Sequence, residues 1–277
     1  MIVSFIPSEK KHTQERILRN LNKGTGGSML PIKWWLDNRH LPDNTECTIT
    51  SGILRGGGDL LKWLIENKYP FLYVDHAYFN SGYSEKYEWM RIVYNGFNCN
   101  KITDTDNTKF TKLFDKTFTL GNHKTNGKNI LVIPPSDPVK YVYGCYNWLD
   151  ETINKIKTLT DRPVVVRTKP GEVLLNNQGI EIGRTQHSAT QRSLEQDLLD
   201  TYCVVAYHSS VAITASMQGI PVVCGENCGA YPVSNKLQDI ENLKEFDRMP
   251  WLYNLCNNQF DTNEIISGDA YTYLREN

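Results

Sequence analysis

The sequence predicts an α/β protein whose parallel sheets are built from repeated strand–helix units. Short apolar runs such as Ile2 to Ile6, Phe71 to Val74 and Cys203 to Ala206 have the length of buried strands. Amphipathic or small-residue segments of helical length lie between these runs, and polar or glycine-rich breaks follow them. Strands that alternate with helices in this way are typical of a parallel sheet.

Composition narrows the class of protein. The 277 residues are 40% hydrophobic and 22% charged, which is typical of a globular protein. No window approaches the ~20 apolar residues that span a bilayer, and the first 17 residues resemble a strand and a charged helix more than a signal peptide. A net charge of −1 argues against nucleic-acid binding through overall charge, although a local basic groove stays open.

The seven cysteines give no metal-binding pattern. None of them forms a C-x-x-C pair, and Cys224 and Cys228 have no histidine nearby at the spacing of a zinc site. We therefore predict reduced thiols, no structural metal and no cofactor. Reduced thiols indicate a cytoplasmic location, which is the host cytoplasm if a phage encodes the chain.

The first half of the chain alternates strands and helices. In order, the patterns predict a strand at 2–6, a helix at about 10–22, a strand at 48–54, a helix at 59–67 and a strand at 71–74. A glycine-rich turn at 23–27 comes directly after the first helix. It lacks the Gly-Lys-Ser/Thr ending and does not come after a strand, so a flexible loop is favoured over a phosphate-binding loop.

Polar and aromatic residues follow the strand that ends at Val74. Asp75 and His76 come first, at the carboxyl end of a strand, where open α/β sheets bind ligands. Either side chain could act as a general base, with Asp75 the first choice. Aromatic faces interleaved with polar groups suit a sugar or a nucleobase, and the candidates for binding an acceptor are Tyr78, Phe79, Arg91 and Asn95. The alternative is a minor aromatic core in which Asp75 caps the next element.

The second half begins with a strand at 129–134, a helix at 143–159 and a strand at 163–166. Arg167 and Lys169 follow that last strand and alternate along an extended segment, so they should share a face. Two exposed cations there could clamp a diphosphate, and their loss should change stability little. The alternative is a solvated charge pair at a strand end.

A further strand, loop and helix follow at 203–218, and a second strand begins at Val222. The loop contains His208, Ser209 and Ser210, and both serines are natural N-cap residues, with Ser210 the expected cap of a helix that begins at Val211. Backbone N–H groups and the positive end of the helix dipole suit a phosphate at this position. The alternative is that the serines only cap the helix.

The order of these features resembles the donor-binding half of GT-B glycosyltransferases over roughly residues 129 to 234. The resemblance implies two facing Rossmann-like domains with parallel sheets, residues 1–128 on the acceptor side and residues 129–277 on the donor side, with the last helices crossing back. It also implies a nucleotide-sugar donor whose diphosphate lies at the loop and helix start and whose ribose hydroxyls donate hydrogen bonds to Glu226. The donor site would then contain Arg167, Lys169, His208, Ser209, Ser210 and Glu226.

The chain also resembles small glycosyltransferase-like proteins of phages and bacteria. The resemblance lies in residues 73–79, Arg91, residues 208–223 and the closing segment 251–274. This resemblance implies an enzyme that transfers a sugar to a hydroxyl group, with a hydroxymethylated pyrimidine in double-stranded phage DNA as the acceptor and no membrane partner. Two alternatives stay open. One is a sugar-nucleotide epimerase or another transferase, such as a pyruvyl transferase, on the same scaffold, and the other is a non-catalytic module that binds nucleotide or DNA.

Overall fold

The computed structural model describes residues 1–6, 12–80, 89–169, 171, 173–175, 181–184 and 192–276. The chain forms two compact units. Unit 1 consists of Met1–Phe97, Asp106–Leu113 and Asn254–Asn277, and unit 2 consists of Asn98–Thr105 and Phe114–Tyr253. Each unit therefore draws on separate stretches of the chain.

The strands and helices are numbered in chain order. The strands are β1 (Ile2–Ile6), β2 (Ser28–Pro31), β3 (Cys47–Ser51), β4 (Phe71–His76), β5 (Trp89–Tyr94), β6 (Asn129–Ile133), β7 (Val164–Val166), β8 (Val173–Leu175), β9 (Glu181–Arg184), β10 (Thr201–Ala206), β11 (Val222–Cys224) and β12 (Gln259–Asp261). The α-helices are α1 (His12–Thr25), α2 (Ile32–Asn38), α3 (Gly57–Glu66), α4 (Thr108–Leu113), α5 (Asp137–Tyr143), α6 (Trp148–Lys157), α7 (Leu194–Leu199), α8 (Ser210–Met217), α9 (Met249–Asn257), α10 (Thr262–Ser267) and α11 (Asp269–Glu276).

Unit 1 contains a six-stranded sheet in the order β12-β5-β4-β3-β1-β2. Strands β1 to β4 are parallel, as predicted, whereas β5 runs antiparallel to β4 and β12 runs antiparallel to β5. The sequence analysis did not identify β2, β5 or β12. The sheet is therefore mixed, with its two added strands at one edge.

The glycine-rich turn of unit 1 has a packing role in place of the predicted loop. Helix α1 continues past Asn22 to Thr25, and Gly24 approaches the backbone of Ile265 and Gly268 so closely that a Cβ at position 24 would overlap both. Only glycine permits this approach between α1 and the turn that joins α10 to α11.

Unit 2 contains a four-stranded parallel sheet in the order β11-β10-β6-β7, and β8 and β9 form a separate antiparallel pair. Every residue of β10 is buried, which is typical of a central parallel strand covered on both faces. The helix predicted at 143–159 begins later, as α6 at Trp148, and a separate helix that the sequence analysis did not identify, α5, precedes it and ends where Gly144 adopts the left-handed conformation (φ 66°).

All seven cysteines are free thiols, as predicted. Burial raises the pKa of Cys203 in the centre of β10, which keeps that thiol protonated. In the part of the chain that the structure describes, none of the helices has the length and apolar character needed to cross a membrane.

Candidate functional site

The sheet of unit 2 has one position where its chain order reverses. From β6 the chain moves to β7 on one side, then returns to β10 and β11 on the other side. Open α/β sheets bind ligands outside the carboxyl ends of their strands at such a switch point. The loops after Ile133 and Ala206 therefore border the expected ligand position, and the second of these loops contains His208, Ser209 and Ser210.

Ser209, and not Ser210, caps helix α8. Ser209 has extended backbone angles, and its hydroxyl accepts a hydrogen bond of 3.2 Å from the backbone N–H of Val211. Ser210 is the first helical residue and is exposed at the start of the helix. The prediction that Ser210 is the cap is wrong, because the helix begins one residue earlier than the sequence pattern indicates. The exposed Ser210 and the positive end of the α8 dipole therefore both lie at the switch point.

Small residues bring α8 close to the sheet. Ala212, Ala215 and Ser216 are all buried. Tyr207 precedes this helix at the end of β10 and packs its ring against Trp148 and His208, with centroids 5.7 Å and 6.1 Å away. Burial raises the pKa of Tyr207 to about 12, so its hydroxyl stays protonated at neutral pH.

Arg167 forms an internal ion pair and is not the exposed cation that the sequence analysis expected to bind a diphosphate. Its guanidinium donates hydrogen bonds of 2.6 Å to the carboxylate of Asp197 and 2.8 Å to the backbone carbonyl of Arg192. The Asp197 side chain, on α7, is only 2% exposed. Lys169, two residues further on, is exposed. Since β6 separates β7 from β10, this strand end lies about 10 Å from the end of β10.

Glu226 lies in the loop after β11, the strand next to β10. Its side chain is exposed, and its backbone carbonyl accepts a hydrogen bond of 3.0 Å from the Asn100 amide. The same loop reaches the start of α8, because the Cys228 thiol donates to the backbone carbonyl of Ser209 across 3.7 Å. Glu226 therefore lies in a loop next to the one that contains Ser209 and Ser210.

In unit 1, Asp75 and His76 are the last two residues of β4. The Asp75 carboxylate accepts three hydrogen bonds, from the Tyr73 hydroxyl (3.0 Å), the His76 backbone N–H (2.8 Å) and the Arg91 guanidinium (2.9 Å). Asp75 and Arg91 are directly opposite each other in the antiparallel ladder of β4 and β5. The three partners of Asp75 thus lie on β4 and β5, and none of them is a backbone N–H at the start of a helix.

Arg91 is buried beside this carboxylate and lies within cation–π distance of two aromatic rings. Its guanidinium carbon is 5.2 Å from the centre of the Tyr78 ring and 5.6 Å from that of Phe97. Burial acts to lower the pKa of Arg91, but the attraction of Asp75 and the hydroxyls of Tyr78 and Tyr73 outweighs it and raises the pKa. The Arg91 side chain, 11% exposed, therefore holds Asp75 in place.

The other two candidates for acceptor binding, Phe79 and Asn95, do not present their side chains beside Asp75. The Phe79 ring is buried, and its backbone pairs with the Gln259 amide, so it packs in the core of unit 1. Asn95 directly follows β5 and lies at the other end of the two strands, where its side-chain oxygen accepts a hydrogen bond from the Phe71 N–H. Because Asn95 lies beside Phe71 and Arg91 beside Asp75, Asn95 is four residues, or about 13 Å, from Asp75 along the strand direction. Asn95 is thus a turn residue (φ 51°) and not a neighbour of Asp75.

The described residues contain no group of three or more histidine, cysteine, aspartate or glutamate side chains arranged to hold a metal ion. The residues that the sequence analysis missed are Asp197, which pairs with Arg167, and Asn98 and Asn100, which bond to the loop that carries Glu226.

Comparison with solved structures identifies the fold class. Thermosulfurimonas dismutans KpsC, beta Kdo 2,7 transferase, superposes with a TM-score of 0.50 at 11% sequence identity, covering 98% of this chain and 99% of that chain. The beta Kdo 2,4 transferase of the same KpsC superposes with a TM-score of 0.44 at 10% identity, covering 92% of this chain and 90% of that chain. No protein-family model matches the sequence, and no curated protein matches it. The likeness to the first structure confirms the predicted α/β, GT-B-like fold.

Proposed function

We propose that the protein is a glycosyltransferase that binds a nucleotide-sugar donor in unit 2 and transfers the sugar to a hydroxyl acceptor. The observation that carries the proposal is the start of α8 at the switch point of the unit 2 sheet, where Ser209 caps the helix and the exposed Ser210 begins it. Anions bind at such a helix start because backbone N–H groups and the helix dipole both favour negative charge. The GT-B-like fold supports the same assignment.

In the proposed donor complex the diphosphate lies at the start of α8, beside Ser210 and His208. Lys169 supplies a positive charge from the end of β7, and Glu226 accepts a hydrogen bond from a ribose hydroxyl. A helix start and a cation can together stabilise a departing diphosphate, so the proposal needs no metal ion. Arg167 is not assigned to the donor site, because its guanidinium is bonded to Asp197 at the end of β7.

The acceptor is assigned to unit 1, with Asp75 as the general base and Tyr78 as a binding surface. An ionised carboxylate offers about four lone-pair positions, and three of those of Asp75 accept the bonds from Tyr73, His76 and Arg91. The remaining position can accept the proton of an acceptor hydroxyl. The acceptor oxygen then forms a bond to the sugar carbon, the bond from that carbon to the diphosphate breaks, and the nucleoside diphosphate leaves.

The narrower form of the proposal concerns the acceptor. The resemblance of residues 73–79, 208–223 and 251–274 to small phage and bacterial proteins supports a hydroxymethylated pyrimidine in double-stranded DNA. The solved structure of similar fold carries the name of a Kdo transferase. A nucleotide-activated Kdo is therefore the second donor to assay.

The test is a thermal-shift screen of nucleotide sugars, followed by transfer assays with radiolabelled donor. A ligand present at about 100 times its dissociation constant should stabilise the fold by about 2.7 kcal/mol. Lys169→Ala should weaken the donor that the parent binds. The matched control is Lys157→Ala, an exposed lysine at the end of α6, which precedes the start of β7, whereas Lys169 follows the end of β7.

Three results would contradict the proposal in different ways. Isomerisation of the nucleotide sugar without an acceptor would indicate an epimerase, and binding without turnover on any acceptor would indicate a binding module. Equal donor affinity of Lys169→Ala and Lys157→Ala would place the donor elsewhere. Transfer to hydroxymethylated DNA, but not to unmodified DNA, is the result expected of the narrower form.

A further inference from the structure

The loop after β11 is held by side chains that bond its backbone. The Asn98 amide donates a hydrogen bond of 2.7 Å to the carbonyl of Asn227, and the Asn100 amide donates one of 3.0 Å to the carbonyl of Glu226. Further along, the Trp251 indole N–H donates across 2.7 Å to the carbonyl of Gly229. Three carbonyl oxygens of a four-residue stretch thus have side-chain donors from distant parts of the chain.

The same loop is joined to the start of α8. The Asn227 amide donates a hydrogen bond of 3.2 Å to the Tyr207 hydroxyl, and the Cys228 thiol donates to the carbonyl of Ser209. Tyr207 and Ser209 lie on either side of His208, in the loop that precedes α8. The positions of the Glu226 loop and of the helix start are therefore coupled by direct bonds.

These bonds leave Glu226 itself exposed. Its side chain is in solvent, while its own carbonyl and that of the next residue are held by the two asparagine amides. Asn98 is only 3% exposed, and a buried amide is costly unless it is hydrogen-bonded, so its bond to Asn227 determines where the loop can lie. A binding residue held by a rigid backbone loses less conformational entropy when a ligand binds.

We infer that Asn98 and Asn100 are positioning residues of the donor site, which act through the carbonyl oxygens of Asn227 and Glu226 to fix the Glu226 carboxylate for a donor hydroxyl. This inference rests on the proposed function. Neither asparagine contacts the donor in this arrangement, so their effect on the donor passes through Glu226.

The test is a double-mutant cycle of Asn100→Ala and Glu226→Ala, with donor dissociation constants measured by calorimetry well below the melting temperature. Asn100 is preferred to Asn98 because it is only half-buried. Asn100→Ala should weaken the donor about tenfold in the parent and have no effect when Glu226→Ala is already present, because coupled residues are not additive. Asn100→Asp keeps the size but removes the donor group, and should match Asn100→Ala. Asn154→Ala, an exposed asparagine on α6, is the matched control.

The outcomes separate the inference from the proposed function. If the parent binds no nucleotide sugar, both are overturned. If the parent binds donor and Asn100→Ala has the same effect in both backgrounds, or none, the positioning role is overturned and the proposed function stands. An unchanged affinity in Glu226→Ala also overturns the positioning role. Hydrogen exchange of the amides at 225–229 supplies a second readout, because Asn100→Ala should accelerate it and Asn154→Ala should not.

Discussion

The guanidinium of Arg167 is bonded to the carboxylate of Asp197, and this pair joins the end of β7 to helix α7 within unit 2. The Asp197 side chain is almost wholly buried, so its charge depends on a partner. Arg192 supplies a second cation, 3.6 Å from the other carboxylate oxygen. A residue that resembles a phosphate clamp in the sequence is therefore part of the internal structure.

We predict that Arg167→Ala destabilises the protein strongly. Removing one partner of a buried ion pair leaves an uncompensated charge and costs about 3–5 kcal/mol, with the lower value favoured because Arg192 remains. Urea unfolding monitored by fluorescence measures the change. Lys169→Ala, which removes an exposed cation two residues away, should stay within about 0.5 kcal/mol of the parent.

The double variant Arg167→Met with Asp197→Leu checks the cause. Replacing both charges with apolar side chains removes the unpaired carboxylate, so stability should return close to that of the parent. A stable Arg167→Ala variant, or a double variant no better than the single one, would contradict the role given to the pair.

The two serines at α8 are expected to differ. Ser209→Ala removes the cap bond to Val211 and should cost about 1 kcal/mol of unfolding free energy. Ser210→Ala should change stability little, since the residue is exposed and already helical, yet it should weaken the proposed donor. Unfolding and donor titration of both variants test this. A larger stability loss in Ser210→Ala would contradict the cap assignment, and unchanged donor affinity would contradict the proposed diphosphate position.

Much of the parallel framework could be predicted, because each of its elements has a local signal. Strands β1, β4, β6 and β10 are apolar runs, and α8 is a segment of small residues of helical length. The capping box that begins α10 likewise has a local signal, the three-residue spacing of Asp261 and Glu264. Strand β5 is as long as β4, but Arg91 interrupts its apolar residues, and β12 has only three residues. Both strands add antiparallel to an edge of the sheet, and β12 pairs with a strand that is far away in the chain.

The partners of the candidate residues were harder to predict than the residues themselves. Asp75 and Arg91 meet only because of the register of β4 and β5, which the sequence does not reveal. Asp197 did carry a signal, since it shares a helix face with Leu194 and Leu198, and a carboxylate on an apolar face needs a partner. Asn98 and Asn100 lie in a polar stretch whose composition resembles a connecting segment.

Alkaline pH should destabilise the protein through its buried thiols. Burial raises the pKa of Cys47 to about 11 and that of Cys256 to about 12, and it also raises the pKa of Cys203. In the unfolded chain these thiols ionise near pH 8.5. Between that pH and about 11, the unfolded state releases protons that the folded state keeps, so the free energy of unfolding falls as pH rises.

Each such thiol contributes a slope of up to about 1.4 kcal/mol per pH unit in that range. Urea unfolding between pH 7.5 and 10 measures the total slope, and Cys203→Ala should make it shallower by one thiol's share. Parallel stability curves for the parent and Cys203→Ala would show that this thiol ionises equally in both states.

The last prediction concerns the proposed general base. Asp75→Asn keeps the size of the side chain and an oxygen that can accept from Arg91, but it removes the basicity of the carboxylate. Because a positioned base contributes about 10²–10⁴-fold to rate, sugar transfer should fall by that factor. Donor affinity should survive, since the proposed donor residues belong to unit 2. Single-turnover transfer and donor titration, both at a temperature where the variant is folded, give the two quantities.

Asp37→Asn, which removes a carboxylate from the exposed pair with Lys33 on α2, is the control and should transfer at the parent rate. His76→Ala distinguishes the two candidates, because a fall in His76→Ala with a normal rate in Asp75→Asn would assign the base to the imidazole. Normal rates in both variants would remove this strand end from the reaction.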